Sequence, residues 1–99
     1  MTTHNAVQNN ALGYPAEAIV WKVGRHYALR LLGSGRVLDL IVQRLQNRAL
    51  VKIGDIVFEA KIVRYRRHYV VYLPRRLNPV WERYHKQTVV VELAPAGGP

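Results

Sequence analysis

The sequence has no cysteine, which removes disulfides, thiolate metal sites and cysteine nucleophiles together. Acidic residues are scarce, six Asp and Glu against fifteen Lys and Arg. Those six (Glu17, Asp39, Asp55, Glu59, Glu82 and Glu92) are scattered, and none pairs with a His or Ser in a spacing that suits acid–base chemistry. No apolar run approaches the roughly 18 residues of a membrane span. The opening MTTHNAVQNNALGYP carries neither a basic nor an apolar leader region, so no secretory signal is read in it. No glycine-rich phosphate loop follows a strand-like run, Gly33-Ser34-Gly35 being too short for one. The expectation is a soluble cytoplasmic chain with no cofactor, no membrane partner and no enzymatic activity.

What is present is basic charge on a chain that can fold. Ninety-nine residues make one domain, and a hydrophobic content of 49% suffices for a packed core. The formal net charge is +9, and most of the cations are arginine, whose planar fork suits phosphates and base edges. Such a balance predicts a polyanionic partner. The alternative, charge kept only for solubility, is a job that acidic residues do better.

Within the chain lies a repeat. Ala18 to Leu32 reads AIVWKVGRHYALRLL and Ala60 to Pro74 reads AKIVRYRRHYVVYLP, aligned without a gap at an offset of 42 residues, Ala18 on Ala60. The triplet Arg25-His26-Tyr27 falls on Arg67-His68-Tyr69, and Lys22 falls on Arg64. Each copy reads as strand, turn, strand: Ile19–Val23 and Tyr27–Leu32 around Gly24-Arg25-His26, then Ile62–Tyr65 and Tyr69–Leu73 around Arg66-Arg67-His68. Ser34 can then cap a helix that places Val37, Leu38, Ile41, Val42 and Leu45 on one face and ends near Asn47. Asn78-Pro79 reads as an N-cap followed by Pro in the first helical position, opening a short second helix through Tyr84, with Val80, Trp81 and Tyr84 as its apolar side. Extended segments follow at 49–53, at 56–60 after the turn Gly54-Asp55, and at 88–93. The reading is mainly β with two short helices: two β-β-α-β repeats, 18–59 and 60–94, with an extra strand in the first. A polar arm covers 1–16, the domain 17–94 and a tail 95–99.

These residues suggest a family. The stretch KIVRYRRHYVVYLPRRLNPVWERYHKQTVVVEL resembles the AbrB/MazE-like swapped-hairpin DNA-binding domains, which run as a basic strand, a turn, an apolar strand closing in Leu-Pro, a short helix and a final strand. VKIGDIVFE at 51–59 is similar to that family's Gly-Asp turn before its last strand. The first copy departs from the pattern with Leu32 where the Pro should stand, the second by lacking Gly-Asp before Thr88. The resemblance implies a swapped-hairpin or cradle-loop β-barrel, built here from both copies in one chain as a monomeric pseudo-dimer or homodimer. It also implies duplex DNA as partner, transcriptional regulation as role and association with the nucleoid.

The candidate nucleic-acid-binding residues are Lys22, Arg25, His26, Arg30, Lys61, Arg64, Arg66, Arg67, His68, Arg75 and Arg76. Of these the turn residues Arg25, Arg66 and Arg67, with Lys22, Arg30 and Arg64 on the strands, are expected to line one end of the barrel. From Lys61 to Arg76 there is no acidic residue. Arginines so placed meet phosphates, release counterions and bind with steep salt dependence. His26 and His68 invite a metal reading, but no further ligands accompany them. Tyr27 and Tyr69 read as half-buried strand residues, whereas Tyr65 and Tyr72 stay open between packing and base stacking. Trp21 and Trp81 are expected in the core. Two other readings remain: a sequence-nonspecific chromatin or single-strand-binding protein, and a small RNA-binding ribonucleoprotein component.

Overall fold

The computed structural model describes residues 13–33 and 35–96; residues 1–12 of the expected arm, the last three residues of the tail and the expected cap Ser34 lie outside that range. Alternation of apolar residues sets the architecture. Strand β1, Tyr14–Val23, buries Ala18 and Val20, and β2, His26–Leu31, buries Tyr27, Leu29 and Leu31. Strand β3, Arg48–Ile53, alternates without exception, with Ala49, Val51 and Ile53 inside. Strands β4 (Ile56–Tyr65), β5 (His68–Tyr72) and β6 (Thr88–Pro95) complete the set. Successive side chains point to opposite faces, so a sheet with one apolar face hides it by rolling into a barrel. The strands close in the order β1-β2-β5-β4-β3-β6, with every pairing antiparallel.

The order is unchanged when β1, β2 and β3 are exchanged for β4, β5 and β6. Leu29 pairs with Val71, and Val51 with Leu93, so both self-pairings join positions 42 residues apart. The two hairpins keep the same register, Val23 opposite His26 and Tyr65 opposite His68. The β1–β6 and β3–β4 seams differ by two residues, an even step that leaves the same side chains inside. Each half's last strand lies against the other half's first, so neither half closes a barrel alone.

Helix α1, Gly35–Arg44, inserts Leu38 and Val42 into the core, followed by Leu45 in the turn after it. It stops because Gln46 and Asn47 take positive φ, 58° and 62°, and the Asn47 N–H reaches back to Val42 O at 3.1 Å. After the 3-10 turn Arg75–Leu77, helix α2, Asn78–Arg83, starts with Pro in its first turn. It buries Trp81 completely; the indole N–H donates to Pro74 O at 2.9 Å, and the ring meets Phe58 edge-on at 6.0 Å.

Several expectations change. Residues 14–16, expected in the arm, begin β1 and pair with β6 from Tyr14 opposite Leu93. The extra strand of the first repeat is the opening half of β4, which runs unbroken through Ala60, so the second half begins at Ile56. Val37 lies 57% exposed rather than on the core face. Asn78 is the first residue of α2 and does not cap it; Leu77 precedes the helix without a side-chain cap. Among the described residues, no helix is long and apolar enough to cross a membrane.

Candidate nucleic-acid interface

All eleven candidate residues are exposed, but the fold distributes them differently from the expectation. Because β2 and β5 run antiparallel about the Leu29–Val71 pair, the two hairpin tips lie at opposite ends of that sheet. Arg25 and Arg67 each stand four positions from the pair, so roughly 25 Å separates them at about 3.3 Å per residue. The expectation of one basic end becomes two. His26 and His68 are the first residues of β2 and β5, since each turn has two residues and not three.

One end gathers Lys22, Arg25 and His26 with Arg75 and Arg76, because Leu73 N–H donates to Tyr27 O at 2.9 Å and brings the 3-10 turn under the first tip. The Asn78 side-chain amide donates to Arg25 O at 3.3 Å and fixes α2 beneath the same hairpin. Lys22 Nζ sits 5.7 Å from the centre of the Tyr27 ring, and Glu82 shares the cleft below them.

The other end carries Arg64, Arg66, Arg67 and His68, with α1 beneath. Arg66 lies 5.5 Å over the Tyr65 ring and adopts φ 58°, the left-handed region that Gly24 occupies in the first turn. Arg64 stacks on Tyr69 at 5.5 Å and faces Asp39 at 3.9 Å. The Tyr69 hydroxyl donates to Asp39. That hydrogen bond, helped by partial desolvation and the Asp39 charge against the opposing Arg64, holds the phenol above its ordinary value of 10.0. The acid-free run in sequence is therefore not acid-free in space: Asp39, from the other half of the chain, neutralises part of Arg64. Asp39 follows the buried Leu38 on α1, and nothing local in the sequence marks it as the partner of Arg64.

Between the two ends runs the outer face of β1, β2, β5 and β4. Trp21, expected in the core, is on this face and 47% exposed, because Ala18 and Val20 take the inward positions of β1. Tyr65 and Tyr72 are exposed beside it, so neither packs into the core, while Tyr27 is buried and Tyr69 half-buried. Trp21 stands opposite Ala28, and Ala28 opposite Tyr72; Arg30 stands opposite Val70, and Val70 opposite Val63. The face forms a groove of about 320 Å³, to which β1 and β2 give Trp21, Val23, Ala28 and Arg30, and β5 and β4 give His68, Val70 and Tyr65. His26 meets the Tyr72 ring edge-on at 6.4 Å. Lys61 is exposed on β4, opposite Arg48 of β3. Among the described residues, no group of three His, Cys, Asp or Glu side chains is placed to hold a metal. Comparison with protein-family models, with curated proteins and with solved structures finds no match.

Proposed function

We propose that this chain is a nucleic-acid-binding protein rather than an enzyme, and that it holds the backbone of duplex DNA through the basic ends of its two hairpins. The reading extends to a regulator of the AbrB/MazE-like kind, with two β-β-α-β copies in one chain taking the place of two subunits. The observation that carries it is the pair of exposed cationic clusters, Lys22, Arg25, Arg75 and Arg76 at one end and Arg64, Arg66 and Arg67 at the other. Among the described residues, the ion pairs are Arg48–Glu59 at 2.7 Å and Arg64–Asp39 at 3.9 Å, so most of these cations face solvent without a carboxylate. A twofold arrangement of charge suits two half-sites on a duplex.

Arg66 supports the reading independently. A non-glycine residue in the left-handed region costs of order 1 kcal/mol, and an exposed arginine contributes little stability to offset it. The test is duplex binding against salt. Affinity should fall steeply between about 50 and 200 mM salt. Replacing Arg66 and Arg67 with Ala should weaken binding and reduce the salt slope by about 2, roughly one for each phosphate no longer neutralised. The pair Arg44 and Arg48, away from both tips, should matter less. Binding that is flat with salt, or weakened equally by either pair, overturns the proposal.

A further inference from the structure

The basic ends do not account for what lies between them. Backbone recognition needs cations, yet the outer face between the tips presents Trp21, Tyr65 and Tyr72 to solvent. Trp21 meets His85 edge-on at 6.0 Å, but none of the three rings enters the core, which is closed on the opposite face of the same strands by Val20, Leu29, Ile62 and Val71. Rings gathered around one groove, in contrast to single exposed residues scattered over a surface, offer a ligand a shared contact.

The chemistry around the rings selects the occupant. No carboxylate lies on the segments that form the face, 19–23, 26–31, 61–65 and 68–72. Arg30 stands within the groove, His68 lines it, and Arg66 stacks over Tyr65 at its edge. An apolar protein partner would need no such cations, and a second copy of this chain would set positive charge against positive charge across the twofold face. Aromatic rings interleaved with arginine on an open sheet suit unpaired bases, whose flat faces stack on the rings while their phosphates meet the cations. Bases within an intact duplex stack on one another and offer no such face.

We infer that the groove lined by Trp21, Tyr65 and Arg30 is a stacking site for the bases of a single-stranded nucleic acid. The inference rests on the nucleic-acid reading above and adds a site for bases to one for phosphates. The asymmetry of the groove fits it: the positions equivalent to Trp21 and Tyr65 are Val63 and Val23, so the rings form a path across the dyad and not a mirrored pair.

The experiment uses the full chain and four probes of equal length, about 12 nucleotides each: oligo(dT), oligo(rU), an abasic sugar–phosphate strand and a DNA duplex. Trp81 is fully buried and Trp21 is not, so a quench of tryptophan fluorescence on binding reports the groove. At one salt concentration, oligo(dT) or oligo(rU) should bind at least about tenfold tighter than the abasic strand, as stacking of even one or two bases requires, and only the strands with bases should quench. The dT-to-rU ratio then tells DNA from RNA. Trp21→Val, which installs the residue found at the equivalent position 63, should erase most of the difference between dT and abasic strand without changing abasic binding. Tyr65→Ala provides a second variant with the same expectation. Equal affinity for dT and abasic strand, or no quench, overturns the inference while the backbone reading stands. Failure of all four probes removes both. Self-association that shields Trp21 also overturns it, by giving the groove to a second copy.

Discussion

At the tip of the β1–β2 hairpin the left-handed turn position is held by Gly24, and at the tip of β4–β5 it is held by Arg66. The hairpins match in register, so the difference lies in side chains and not in strand pairing. The second tip carries Arg66 and Arg67 on the turn itself; the first carries Arg25 and borrows Arg75 and Arg76 from the segment after β5. The positions equivalent to those two arginines are Gly33 and Ser34. Both basic ends thus draw charge from the second half of the chain, while the first half supplies Asp39, which holds Tyr69 and faces Arg64. The halves hold similar numbers of cations, seven over 14–53 and eight over 56–95, so what differs between them is placement and not amount.

The sharpest way to break this equivalence is to separate the halves. A fragment of residues 56–96 should remain unfolded, or fold only as a concentration-dependent dimer, because β6 would lose both β1 and β3. Circular dichroism with sedimentation decides it, and a folded monomer would mean that the halves are not interdependent. The two tryptophans, one from each half, give the next largest contrast. Trp81→Ala should cost about 3–5 kcal/mol in denaturant unfolding, the usual effect of emptying an aromatic site in a core. Trp21→Val should cost less than about 1 kcal/mol.

A smaller contrast concerns the turns. Arg66→Gly makes the second turn like the first and should raise stability by about 0.5–1 kcal/mol, while weakening duplex binding. A variant that lost both would show that Arg66 stabilises the fold through its stacking on Tyr65. The smallest effect is electrostatic. Asp39→Ala should return the Tyr69 phenol toward 10.0 in an ultraviolet titration. A phenol raised by folding stabilises the fold below its unfolded value near 10 and loses that contribution as pH rises through its folded value. The stability gap between wild type and Asp39→Ala should therefore narrow as the pH climbs above about 10.

Much of the fold is legible in the sequence because alternation and the repeat are both local signals. The β3 run RALVKI can place only one face inside, and the offset of 42 residues recurs in the pairs Leu29–Val71 and Val51–Leu93. Trp21 is harder to place because β1 is apolar on both faces near its tip: Ile19, Trp21 and Val23 compete with Ala18 and Val20 for the core, and size favours the wrong set. Only pairing decides it, since Ala18 and Val20 share the interior with Leu29 and Leu31. The candidate arginines are legible as exposed, but their division between two ends is not. It depends on β2 meeting β5 head to tail, a pairing between residues centred 42 positions apart.

The seam between β1 and β6 has a consequence for how the chain can be rewired. Tyr14 lies opposite Leu93, so the polypeptide enters and leaves the barrel on neighbouring strands. The corresponding seam, between β3 and β4, is bridged by the two-residue turn Gly54-Asp55, where Gly54 takes φ 59°. One seam is covalently joined and the other is open, yet both are antiparallel neighbours with the same faces inward. A circular permutant that links residue 96 to residue 13 and opens between Gly54 and Asp55 would place every core side chain where it now stands. The barrel would then begin with the half that carries Arg66 and Arg67, with the order of the halves reversed and both basic ends intact.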